Sequence, residues 1–225
     1  MSHSSSPPVA RRGFLARLSQ ATAALTAMLA DPSRLEAASA FAGLSNPADP
    51  DAWIARLKGQ QKVIIHVHQY FMTALVDARN MLANARDMYG VPEAQHSIAV
   101  VTHGQAIQGL FRDALWEKMA LGAFYKVNDP KTGAPATRNV YRENLPLHPG
   151  LTYEQLMANR GVIMTACNMA LTVISGMAAP KAGVTPDVAK KEWAANLIPG
   201  VVLVPSGVYA VNRAQESGCT YCYAG

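Results

Sequence analysis

The run Lys62-Val-Ile-Ile-His-Val-His68, followed at once by the segment Tyr70 to Tyr89, decides the fold of this 225-residue chain. The first piece is short, apolar and rich in β-branched residues, as a buried strand is. In the second, Phe71, Leu75, Ala78, Leu82, Ala85 and Tyr89 recur at helical spacing, while Asp77, Arg79, Asn80, Asn84 and Arg86 fill polar positions. Gly90 and Pro92 supply a C-cap and a stop. A continuous apolar strand feeding a long helix is the opening of a βαβ unit, in which the strand is covered on both faces.

The same alternation continues along the chain. Ser97-Ile-Ala-Val-Val-Thr102 reads as a second strand, His103-Gly104 as a turn and Gln105 to Met119 as a second helix. Gly122 to Gly150 breaks the rhythm with Asp129-Pro130-Lys131-Thr132-Gly133 and Leu145-Pro146-Leu147-His148-Pro149-Gly150, and reads as an inserted loop folding over one end of the sheet. Thr152 opens a helix to about Asn159, Gly161-Val-Ile-Met-Thr-Ala-Cys167 is a third strand and Asn168 to Met177 a short helix. Thr185 as N-cap with Pro186 at the first helical position starts a helix to about Asn196. Val201 to Val204 is a fourth strand, Gly207 to Ser217 a helix and Cys219 to Tyr223 a last strand. The expected class is α/β: a single three-layer domain over residues 61–225, with a mostly parallel sheet of about five strands flanked by helices.

Ahead of this body stands Arg11-Arg12-Gly13-Phe14-Leu15, followed by a mildly apolar segment from Leu18 to Ala30. Paired arginines, a spacer and Phe-Leu are the layout of a twin-arginine export signal. Small residues around Ala40 and Ala42 match what a signal peptidase reads, so residues 1–42 are expected to be removed and the protein to be periplasmic. Residues 43–60 then form a linker carrying a short helical turn from Trp53 to Leu57. Cleavage removes Arg11, Arg12, Arg17 and Arg34 with Asp31 and Glu36, and the net charge falls from +5 to +3. The body has no basic run of the kind that binds nucleic acid and no segment of about 20 strongly apolar residues to span a membrane.

The body resembles the DsrE/DsrF-like proteins of sulfur relay and sulfur oxidation over roughly residues 61–223. The segments that carry the resemblance are Leu75-Val-Asp-Ala-Arg-Asn80 with Tyr89-Gly90-Val91, Val100-Val-Thr-His-Gly104, Val162-Ile-Met-Thr-Ala-Cys167-Asn168, and Ile198-Pro199-Gly200-Val201 through Pro205-Ser206-Gly207-Val208. The resemblance implies a small α/β sheet assembled into homo-oligomers, dimer to hexamer. It also implies a cysteine after the third strand that carries sulfur as a persulfide, a position held here by Cys167. The insertion from Gly122 to Gly150 is long for that group.

Read from the residues, Cys167 ends a strand and Asn168 begins a helix, so the thiol sits where N–H groups and a partial positive charge favour a thiolate, a persulfide or a bound anion. A buried structural cysteine is the competing reading. His103, at the same edge, is a candidate to orient or deprotonate Cys167. Gly104, Asn168 and His68 are candidates for binding an anion or substrate. His66 and His68, two apart, share a face and have metal-site spacing without an evident third ligand; a packed role competes. His148, on the insertion, is a candidate to reach the site. Cys219-Thr-Tyr-Cys222 is a CxxC in a strand, where residues three apart face opposite ways, so a disulfide or metal role needs a turn. Met72, Met81, Met88 and Met119 read as core filler. No cofactor is implied. The two functional classes left open are a periplasmic sulfur-handling protein, with a redox or sulfur-oxidation partner, and a non-catalytic binding or assembly subunit.

Overall fold

The computed structural model describes residues 49–143 and 152–225. The expected signal segment with Arg11, Arg12, Phe14 and Leu15, the linker residues 43–48 and His148 lie outside the described residues. A five-stranded sheet runs in the order β4-β3-β2-β1-β5, with β1 at Gln61–Val67, β2 at His96–Thr102, β3 at Ile163–Cys167, β4 at Val202–Val204 and β5 at Thr220–Tyr223. Every pairing is parallel. The α/β class with a sheet of five strands is therefore established, and the sheet is wholly parallel. Among the described residues no helix is long and apolar enough to cross a membrane.

Two cores lie on the two faces of this sheet. The first packs Ile65, Val67, Ile98, Val100, Met164 and Ala166 under α1 (Phe71–Tyr89), α5 (Asn168–Ala178) and α6 (Pro186–Ala195). On that side also lie the short helices α2 (Asp113–Lys118), α3 (Leu121–Tyr125) and α4 (Tyr153–Arg160). The second is smaller: Ile64, Ala99, Val101, Ile163 and Val204 meet α7 (Gly207–Glu216) through Ala210, Val211 and Ala214, with Trp53, Ile54 and Leu57 at its edge. Neighbouring strand residues enter different cores because successive side chains point to opposite faces. The turn expected from Trp53 to Leu57 is a 3₁₀ turn at Ile54–Arg56 that seals this second face.

The helix expected from Gln105 to Met119 is not continuous. A 3₁₀ segment, Gly104–Leu110, is followed by α2. Between them Phe111 is extended and pairs with Leu197. The Ile198 N–H donates to the Leu110 carbonyl and the Arg112 N–H to that of Asn196, both at 2.9 Å. These partners come from 86 or so residues later in the chain, so local periodicity carries no sign of the break. The described part of the insertion holds α3, a tight turn at Asp129–Gly133 and a 3₁₀ turn at Val140–Arg142. Asn139 anchors it: its buried amide donates to the carbonyls of Gly109 and Phe111 at 2.8 and 2.7 Å. Of the four methionines read as core filler, Met119 is buried and Met72 and Met81 pack against the core, but Met88 is 74% exposed. Tyr89, at the end of the apolar stripe, is exposed as well.

Candidate functional site

The connections leaving the strands set the place of the site. From β3 the chain passes into α5 on the first face; from the adjacent β4 it passes into α7 on the second. Adjacent parallel strands whose helices depart to opposite faces leave a crevice at their C-terminal ends, and open α/β sheets bind ligands there. Cys167 is the last residue of β3, and Ser206-Gly207 follows β4 directly into α7. Both helices begin at this crevice, so their unsatisfied N–H groups face the same region.

Cys167 is 5% exposed, and its Sγ accepts the Ala170 N–H at 3.4 Å as the cap of α5. Asn168 follows as the first residue of α5, buried, with no partner for its side-chain oxygen among the described residues. A methyl group on Gly207 would stand 3.3 Å from Cys167 Cβ and 2.9 Å from His103 Cβ, so the bare backbone of Gly207 lets α7 start against both side chains. His103 makes no hydrogen bond to Cys167; the two residues meet across Gly207.

His103 instead belongs to a cluster of three imidazoles. Its ring stacks on His66, with centroids 4.5 Å apart and planes 17° from parallel, and lies 4.7 Å from the His68 ring. The backbone holds this arrangement. The His103 N–H donates to the Val67 carbonyl at 3.0 Å, and the His68 carbonyl accepts the Ala106 N–H at 2.9 Å. Gly104 has φ +58°, a left-handed conformation suited to glycine, and any side chain there would enter the His68 ring. From β5, the Tyr221 hydroxyl lies 3.0 Å from His66 Nδ1 in a hydrogen bond, and the Tyr223 ring centroid lies 5.8 Å from that of His66. The Nε2 atoms of His66 and His103 are buried without a partner among the described residues. Burial, then the neighbouring imidazoles His66 and His68, push His103 down to about 4. Burial and His68 lower His66 in the same way.

The structure thus gathers four of the expected residues, Cys167, His103, Gly104 and His68, with Asn168 beside Cys167, at one sheet edge. It brings in His66, singled out in the sequence only for its metal-site spacing with His68, and adds Gly207, Tyr221 and Tyr223. The alternation in β1 was the available signal for His66, since it shares its face with His68. Nothing local points to Tyr221 or Gly207, which arrive through the β1–β5 pairing and the crossover of α7. Tyr70, Met169, Val208, Tyr209, Tyr221 and Tyr223 are exposed, and each touches a site residue or lies within two positions of one, which gives the edge an aromatic and apolar surround.

Cys219 and Cys222 stand apart from this site. All three cysteines are free. Cys219 is buried in the second core, whereas Cys222 packs on the first, so the pair faces opposite sides of β5 and a bond between them requires rebuilding that strand. Burial pushes both thiols up; at Cys222 the Asp77 carboxylate adds to it. Cys222 lines a groove of about 610 Å³ with Val63, Asp77, Asn80, Met81 and His96, along α1. Among the described residues no group of three or more His, Cys, Asp or Glu side chains is arranged to hold a metal ion.

No family model matches the chain, and no curated protein matches it. Among solved structures it is similar to a protein of unknown function, MTH1491 from Methanobacterium thermoautotrophicum. The two are 17% identical, the match covers 72% of this chain and 98% of that one, and the TM-score is 0.38.

Proposed function

We propose that this protein is an exported sulfur carrier of the DsrE-like kind and that Cys167 holds the sulfur atom. The observation that carries the reading is the position of Cys167 at the crevice between β3 and β4, with a backbone N–H directed at its sulfur. In the step, the Cys167 thiolate attacks the terminal sulfur of a small polysulfide or persulfide. The donor's S–S bond breaks, its electron pair leaves on the departing sulfur, and Cys167 gains one sulfur as a persulfide. No external oxidant is needed. Cys167 is only 5% exposed, which suits a small donor over a protein thiol. The Arg11-Arg12 signal would place this chemistry in the periplasm, and copies of the chain would assemble as a homo-oligomer, with a redox or sulfur-oxidation partner.

The same burial favours a second reading. In it Cys167 serves only as a cap for α5, and the fold is a non-catalytic binding or assembly subunit. Intact mass after exposure to polysulfide separates the two. Sulfur carriage predicts a gain of one sulfur atom that dithiothreitol removes and that Cys167→Ser does not show. An unchanged mass rejects carriage and leaves the scaffold.

A further inference from the structure

We infer that His66, His68 and His103 receive a small sulfur oxyanion beside Cys167 and take up a proton as it binds. The identity of the anion as a sulfur species rests on the proposed reading; the linkage to a proton rests on the cluster itself. The His66 and His68 rings lie 4.5 and 4.7 Å from a common ring, His103, in an arrangement enforced by Gly104 and Gly207. The titratable groups facing them are the Tyr221 and Tyr223 phenols from β5 and, across Gly207, the Cys167 thiol from β3; the Gly225 main-chain oxygen accepts the His68 and Gln69 N–H groups at 3.3 and 3.4 Å, α7 presents glycine, and among the described residues no carboxylate side chain contributes to the shifts of His66 and His103.

His66 and His103, packed together without an acid side chain on their rings, stay neutral, because a proton on either ring has no counter-charge and is repelled by the helix N-termini nearby. The buried, unpartnered Nε2 atoms of His66 and His103 are consistent with neutral rings that keep a free lone pair. A bound anion supplies the missing charge. It favours the imidazolium, and by reciprocity the proton favours the anion. A carboxylate built into the cluster would instead hold the proton permanently and repel the ligand. The direction is fixed: His103 sits at about 4 in the empty site, so a bound-state value above that makes affinity rise as pH falls.

The test is calorimetric titration of the full chain with sodium thiosulfate, at about pH 6.5 and about pH 5.5, each in two buffers of different ionisation heat. The expected result is uptake of about one proton per anion and roughly tenfold tighter binding at the lower pH. His103→Gln should lose both the uptake and the pH dependence. His68→Gln, a change at the half-buried ring, should weaken them, which covers a His103 variant that fails to fold. Cys167→Ala cannot form a persulfide yet should retain the proton-linked binding, so failure of sulfur carriage is read separately. Absence of binding at millimolar thiosulfate overturns the inference. So does binding equally tight at both pH values without buffer dependence, or uptake that survives both histidine substitutions.

Discussion

Gly104 shows how a single residue sets the site. Its left-handed backbone turns the chain out of β2, and the space a methyl group would take belongs to the His68 ring. Gly104→Ala should destabilise the protein by about 1–3 kcal/mol in urea unfolding and displace His68, read as a shifted imidazole resonance in NMR spectra. His103 makes a separate prediction about acid. Its value in the folded state, about 4, lies below the ordinary 6.5, so the unfolded chain takes the proton first. Stability from this group is complete above about pH 6.5 and erodes as pH falls toward about 4. Thermal midpoints measured across that window should decline, and His103→Gln should flatten the decline. At this scale the sequence shows Cys167, His103 and His68 because strand-end positions announce themselves. It does not show the stacking of His66 on His103, which depends on the register of β1 against β2.

Elements whose pattern is set locally match the sequence to within a residue or two: β1, α1, β3 with α5, and α6 with its Thr185 cap and Pro186 start. The exception, the break between residues 104 and 113, arises from pairing with residues 196–198, which no window of sequence contains. The insertion is pinned at the same place. Asn139 satisfies two buried carbonyls there, and its own oxygen accepts the Tyr141 N–H at 3.0 Å. Asn139→Ala leaves those carbonyls without a partner and should cost about 1–3 kcal/mol, measured by chemical denaturation. Thr152, which closes a reciprocal cap with Gln155 at the start of α4, should cost about 1 kcal/mol when changed to Ala.

For the molecule as a whole, one crossover does most to create the site. By returning from β4 to the far side of β1, α7 covers the second face, places its own start against Cys167 and His103, and delivers β5 with Tyr221 and Tyr223. The strand-helix alternation announces a parallel sheet, whereas the order of its strands, and so the location of the crevice, is a long-range property. The homo-oligomer in the proposed reading has a candidate contact in Met169, Val173 and Met177, four residues apart and exposed along α5. Sedimentation should show an assembled wild type and a smaller species for Val173→Asp.

The three thiols separate the two readings, because only Cys167 lies at the crevice, while Cys219 is buried in the second core and Cys222 lines the groove along α1. Brief exposure to polysulfide, alkylation to trap persulfides, digestion and fragment mass spectrometry report which thiol carries the added sulfur. Sulfur carriage on Cys167 predicts that the extra sulfur is found on the Cys167 peptide, ahead of the other two. Sulfur found first on Cys219 or Cys222, or on none of the three, would contradict it.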